Sequence, residues 1–105
     1  MDTVLDRKKV IKSYLESKLG FPNRYFLNLK DYIIIDEQQV HFIHLLMGWN
    51  EGQYIYQALR HIEIKEDRSI IIHQNNVDKP IDLELIELGI PISEITYVEE
   101  PVIVN

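Results

Sequence analysis

Apolar positions change their period twice along the chain. From Thr3 to Leu19 they recur at helical spacing, with Val4, Ile11, Leu15 and Leu19 in one stripe and Tyr14 and Lys18 beside it. Thr3 followed by Asp6 predicts a capping arrangement at the start of this helix. Gly20 predicts its stop, since glycine takes left-handed angles freely, and Pro22 prevents its resumption. The period then shortens to two. Tyr32–Ile35, His41–Trp49, Tyr54–Lys65 and Ser69–Gln74 are β-branched or alternating runs separated by short polar turns, and they predict four strands. Connections this short force antiparallel neighbours, because a parallel return needs a dozen or more residues. Asp78-Lys79-Pro80 predicts a second helix, with Asp78 as cap and Leu83, Leu85 and Ile86 facing inward, ending at Gly89 before Pro91. Pro91 to Ile95 predicts a further short helical turn, and Thr96 to Asn105 an extended tail. The expected fold is α+β, in one domain spanning residues 1–105: a four-stranded antiparallel meander with the N-terminal and C-terminal helices packed on one face.

Side chains alternate along a strand, so each strand divides by parity. Ile43, Leu45, Met47 and Trp49 share one side of the second strand. Tyr56, Ala58, Ile62 and Ile64 share one side of the third, and Ile70 and Ile72 one side of the fourth. Pairing Trp49 with Tyr54, and Ile62 with Ile72, places all of these on a single face, which is assigned to the helices. Arg60 falls on that face and conflicts with it unless its head reaches water at the sheet's end. The opposite face then carries Phe42, His44, Leu46, Ile55, Leu59, His61, Ile71 and His73. Five of these are large and apolar, where a half-wet antiparallel sheet is expected to be polar. Such a face calls for self-association, a protein partner or coverage by the tail.

Composition narrows the options. The chain has 105 residues, 46% of them hydrophobic, which suffices for one packed core. The absence of cysteine excludes disulfides, thiol nucleophiles and cysteine-based zinc sites. No apolar leader follows Met1 and no apolar run is long enough to span a bilayer, so a reducing, cytoplasmic setting is expected. The net charge is −6 but is unevenly spread: residues 1–30 hold seven Lys/Arg against three acids, and the remainder four against fourteen. A nucleic-acid-binding reading would rest on Arg7, Lys8, Lys9 and Lys12. The simpler expectation is that these form the wet face of the helix and that direct nucleic-acid binding is absent.

Candidate chemistry is sparse. The parity argument sets His61 opposite His73, with Phe42 also across from His61 and His44 nearby, and two or three imidazoles on one face are a potential zinc or copper site. No acid or cysteine on that face completes the ligand set, although Glu63 lies two residues along, so the expectation is half-buried interface histidines and no metal. Glu66-Asp67 and Glu99-Glu100 are neighbours in a turn and a tail, not paired across a cleft as acid–base catalysis requires. Gly48 to Gly52 lacks the Lys and Ser/Thr of a phosphate loop. Ser13, Ser17, Ser69 and Ser93 lack a nucleophile's setting. The residues thus predict a protein that is not an enzyme, with no cofactor and no small-molecule substrate.

Five short stretches in order resemble the XisI family. Met47-Gly48-Trp49-Asn50-Glu51-Gly52 is similar to its Gly-Trp hairpin, and His61-Ile62-Glu63-Ile64 to its His-Ile-Asp-Ile strand. Ile70-Ile71-Ile72-His73-Gln74 resembles an Ile-x-Ile-x-Gln strand. Glu84-Leu85-Ile86-Glu87-Leu88-Gly89-Ile90-Pro91 resembles a Glu-Leu-Val-x-x-Gly-Ile-Pro helix end, and Ser93-Glu94-Ile95 the Lys-Glu-Asp-Ile step after it. The chain departs from the pattern at Asn75-Asn76-Val77, where the family usually has Asp-Gly-Thr, and in its tail from Glu100 to Asn105. The resemblance implies an α+β fold and a role as a controlling factor for excision of the fdxN element in cyanobacterial heterocyst differentiation. It also implies the company of a separate recombinase and of a XisH-like partner.

Overall fold

Thr3 starts the first helix, α1 (Val4–Glu16), by a reciprocal capping box. Its hydroxyl accepts the Asp6 backbone N–H while the Asp6 carboxylate accepts its own, both at 3.1 Å. The computed structural model describes residues 3–20 and 28–99. Pro22, Arg24 and the tail from Glu100 onward, with every expectation placed on them, lie outside that range. Within α1 the predicted stripe buries Ile11, Tyr14 and Leu15, joined unexpectedly by Arg7, whereas Leu19 lies beyond the helix and is exposed.

The four predicted strands are present as β1 (Leu29–Ile35), β2 (His41–Asn50), β3 (Gln53–Ile64) and β4 (Ile70–Asn75), each antiparallel to the next. Short acids shape two of the turns. Asp36 accepts the backbone N–H groups of Val40 and His41 at 2.7 Å, and Asp67 accepts that of Ser69 at 3.0 Å. The second helix, α2 (Ile81–Glu87), begins after Pro80 without a side-chain cap, so Asp78 does not take the role expected of it. Ile81 and Leu85 are fully buried, but Leu83 faces solvent.

After a 3-10 turn at Ile92–Glu94, a fifth strand, β5 (Ile95–Tyr97), lies parallel to β4. The sheet is therefore mixed and five-stranded, in the order β1-β2-β3-β4-β5. The expected four-stranded antiparallel sheet gains one parallel edge, made possible by the α2 crossover. Three residues are too few to show a period in sequence.

Both helices pack on one face, as expected, but the strands present other residues to them. The core under the helices joins Ile11, Tyr14 and Leu15 to Phe42, Ile62, Ile64, Ile70, Ile72, Ile81, Leu85 and Ile90, with a smaller cluster of Leu29, Leu46 and Leu59 beside it. Trp49 does pair with Tyr54, and Ile62 with Ile72. The register slips between those pairs: His44 faces Arg60 while the next residue, Leu45, faces Ala58, leaving Leu59 as an extra residue. A second slip isolates His73, between His61 opposite Gln74 and Ile62 opposite Ile72. A one-residue bulge exchanges the faces of everything beyond it. Phe42, His44, Leu46 and Leu59, expected on the open face, are buried under the helices, and Ile55 packs on their smaller cluster. Leu45, Met47, Trp49, Tyr56 and Ala58 turn outward instead, while Ile62, Ile64, Ile70 and Ile72 stay where the parity argument put them.

Candidate functional site

Cross-strand partners share a face, so the register defines the outer surface row by row. Trp49 lies beside Tyr54, Lys30 beside Met47 and Tyr56, and Tyr32 beside Leu45 and Ala58. Ile34 lies beside Ile43 and His61, and His41 beside Glu63 and Ile71. No described element covers this side. Its broad end is aromatic and open: Trp49 is 59% exposed, Tyr54 51% and Tyr56 68%, with Tyr32 and Ile34 also exposed. The Trp49 and Tyr54 rings meet edge to face at 5.4 Å, which holds both side chains upright without burying them.

The other end of the same face is polar. His61 and His73 share this face as expected, but His61 stands opposite Gln74 and Ile43, not His73 and Phe42, and Ile71 lies in the adjoining row. Their third imidazole is His41 and not His44, because the bulge sends His44 inward. His41 Nδ1 stands 3.0 Å from His61 Nε2, and the His61 and His73 rings stack with centroids 4.5 Å apart. Glu63 accepts a hydrogen bond from His73 Nε2 at 2.7 Å, and that bond holds the Glu63 carboxyl below its ordinary value. Partial burial, then the neighbouring His73 and His41, hold the His61 imidazole below its ordinary value.

Beneath the sheet, the misplaced residues form a buried polar chain. Arg60 donates to His44 Nδ1 at 2.9 Å, and His44 Nε2 lies 2.7 Å from Asp31 Oδ2. A guanidinium only donates, so His44 Nδ1 accepts and its proton sits on Nε2, directed at Asp31. Arg60 continues toward Glu84 on α2, which also accepts from the Tyr14 hydroxyl at 2.9 Å and from Lys18. The Arg60 conflict noted in sequence is thus resolved by burial among partners, not by reaching water. A cleft of about 540 Å³ between the helices is lined by Val10, Tyr14, Ser17, Lys18, Glu84 and Leu88. Of its two carboxylates, Glu84 is engaged by Tyr14 and Lys18, and Glu87 by Lys79.

The basic segment is also partly consumed. Arg7, 1% exposed, donates to the Arg68 carbonyl at 2.8 Å and lies 3.7 Å from Glu94. Lys8 donates to the Gln38 carbonyl. Of the four residues on which a DNA-binding reading rests, Lys9 and Lys12 project from the exposed side of α1. No helix among the described residues is long and apolar enough to cross a membrane.

Sequence was silent on the aromatic end because parity alone buries Trp49 and Tyr56. The usable signals were Arg60 on the supposed core face and the glycine at position 48.

The family model described as XisI protein matches residues 1–100. No curated protein matches the chain. Among solved structures, it is similar to a XisI-like protein from Anabaena variabilis ATCC 29413, at TM-score 0.78 and 23% identity over 90% of this chain and 84% of that one. It is also similar to the fdxN element excision controlling factor XisI of the same strain, at TM-score 0.70 and 22% identity over 90% of this chain and 85% of that one.

Proposed function

Because the chain belongs to the XisI family, we propose that it is a non-enzymatic accessory factor in programmed DNA element excision that works by docking a protein partner on its outer sheet face. The observation that carries this reading is the open aromatic row of Trp49, Tyr54 and Tyr56 with Tyr32 and Ile34. Tyrosine and tryptophan dominate binding hot spots, since each brings a large rigid area with few rotamers to immobilise. A XisH-like protein is the partner this reading favours. The factor resembling this chain in fold carries the excision role in its own description, which supports assigning the same process here. A DNA-binding regulator built on α1 has less to work with, because Arg7 is committed to Arg68 and Glu94.

The test is solution mass by light scattering, alone and mixed with a XisH-like protein encoded beside it. Wild type is expected to form the mixed complex. Tyr56→Asp is expected to abolish it while keeping a native circular dichroism spectrum. Leu59→Asp, at a core position, is expected to unfold the chain. A monomer that ignores its neighbour, or a complex indifferent to Tyr56→Asp, overturns the reading.

A further inference from the structure

Three adjacent strands each deliver one histidine to the narrow end of the outer face. His41 opens β2, His61 comes from β3, and His73 is the extra residue of the β4 bulge. One ring nitrogen from each lies within 4.8 Å of the other two, and all three side chains are half-buried. Two nitrogens on a tetrahedral zinc, with bonds of about 2.0–2.1 Å, stand roughly 3.3 Å apart. The His41 and His61 nitrogens, at 3.0 Å, are therefore at chelating distance already. No separation among the three has to close by more than about 1.5 Å, a side-chain adjustment that leaves the strands in place.

The surroundings also suit a cation. The N···N contact between His41 and His61 is a single hydrogen bond, in which one ring gives a proton and the other a lone pair. A metal ion replaces that bond by taking a lone pair from each ring, the donor ring's proton moving to its other nitrogen so that both imidazoles stay neutral. Glu63 holds the His73 ring by the carboxylate hydrogen bond that metal-binding histidines generally have, and adds negative charge 2.7 Å from it. Three neutral imidazoles select borderline divalent ions of the zinc and copper type over magnesium or calcium, which prefer oxygen.

We propose that His41, His61 and His73 bind one divalent transition-metal ion, with Glu63 orienting His73 and a fourth position facing solvent. Three protein ligands and one open position allow water or a donor from a docked molecule to complete the shell. This site is independent of the aromatic end and stands whether or not a partner binds there.

The test is isothermal titration of the untagged full-length chain with zinc, at near-neutral pH and micromolar protein. Wild type is expected to take up one ion per chain. His41→Ala and His61→Ala are each expected to weaken binding at least about 100-fold, and Glu63→Gln by roughly 10–100-fold, the range for loss of an outer-shell partner. Cobalt(II) gives a second readout, as tetrahedral absorption bands in wild type that are absent in His61→Ala. Circular dichroism establishes that each variant is folded. Zinc uptake well below one per folded wild-type chain overturns the proposal, as does stoichiometric binding that survives both alanine variants.

Discussion

Gly48 offers the sharpest test of how β2 is seated against β1. It pairs with Leu29 across the sheet at φ +142°, an angle that side chains of L-residues rarely adopt. An alanine Cβ there would lie 2.1 Å from the Asn28 carbonyl oxygen and 2.9 Å from the Leu29 Cα. Comfortable contacts fall at about 3.5 Å, so the start of β1 has to retreat by more than about 1 Å. The backbone angle alone costs about 1–3 kcal/mol in a non-glycine residue. Leu29, buried with Leu46 and Leu59, moves with that strand end and forfeits part of the roughly 1.5–3 kcal/mol its burial contributes. Gly48→Ala is therefore expected to lose about 3–5 kcal/mol, a large share of an ordinary domain's stability. Gly52 is the internal control: its φ is +80°, but a Cβ there meets nothing within 4 Å. Gly52→Ala should lose only the conformational part, about 1–2 kcal/mol. Guanidinium denaturation followed by circular dichroism measures both. Equal losses in the two variants would refute the clash and with it the close approach of β1 and β2.

Two further outcomes follow from the buried charges. Arg7→Ala should destabilise by about 2–4 kcal/mol, by removing a charged donor from Arg68 and Glu94, whereas Lys12→Ala should stay within about 0.5 kcal/mol. Denaturation midpoints decide it, and equal effects would mean Arg7 is not structural. Burial alone would raise the Glu84 carboxyl, but hydrogen bonds from Lys18 and Tyr14 outweigh it and hold the group below its ordinary 4.5. Its stabilising contribution is accordingly complete above pH 4.5 and fades as pH falls through the lowered folded value. Tyr14 runs the other way: burial, then the bond to Glu84, raise its pKa, so its contribution is full below pH 10 and is lost as pH climbs through the raised value. Midpoints measured against pH should show a flatter acid limb in Glu84→Gln than in wild type; superimposable limbs would contradict the network.

The two helices and four of the five strands were legible because each announces itself locally. The Thr3–Asp6 box and the Ile11–Leu15 stripe mark α1, and the Asn50-Glu51-Gly52 turn brings Trp49 against Tyr54. The faces were not, because parity is cumulative. It carries a correct pairing forward only while each strand contributes one residue for each residue of its neighbour, and Leu59 and His73 break that rule. Nothing in the local composition of Ala58-Leu59-Arg60 distinguishes a bulge from regular strand. The candidate site was therefore half visible. His61, Ile71 and His73 kept the face that parity gave them, while Trp49, Tyr54 and Tyr56 required the structure. His41 was passed over because it stands at the first position of its strand, opposite Glu63, where a tally of apolar alternation has least to say.

The order in which the chain closes its contacts bears on how it reaches this fold. From β1 to β4 the sheet is a run of hairpins, and each pairing joins residues close in sequence. The helix contacts do not: Arg7 meets Arg68 across 61 residues, and Tyr14 meets Glu84 across 70. Loop-closure entropy favours the near contacts, so the meander is the natural nucleus and the docking of α1 and α2 the late event. Substitutions in the hairpins should then act mainly on the folding rate, and those at Arg7 or Tyr14 mainly on the unfolding rate. The polar tie between the two helices works as a latch, setting how long the finished molecule stays closed more than how fast it forms.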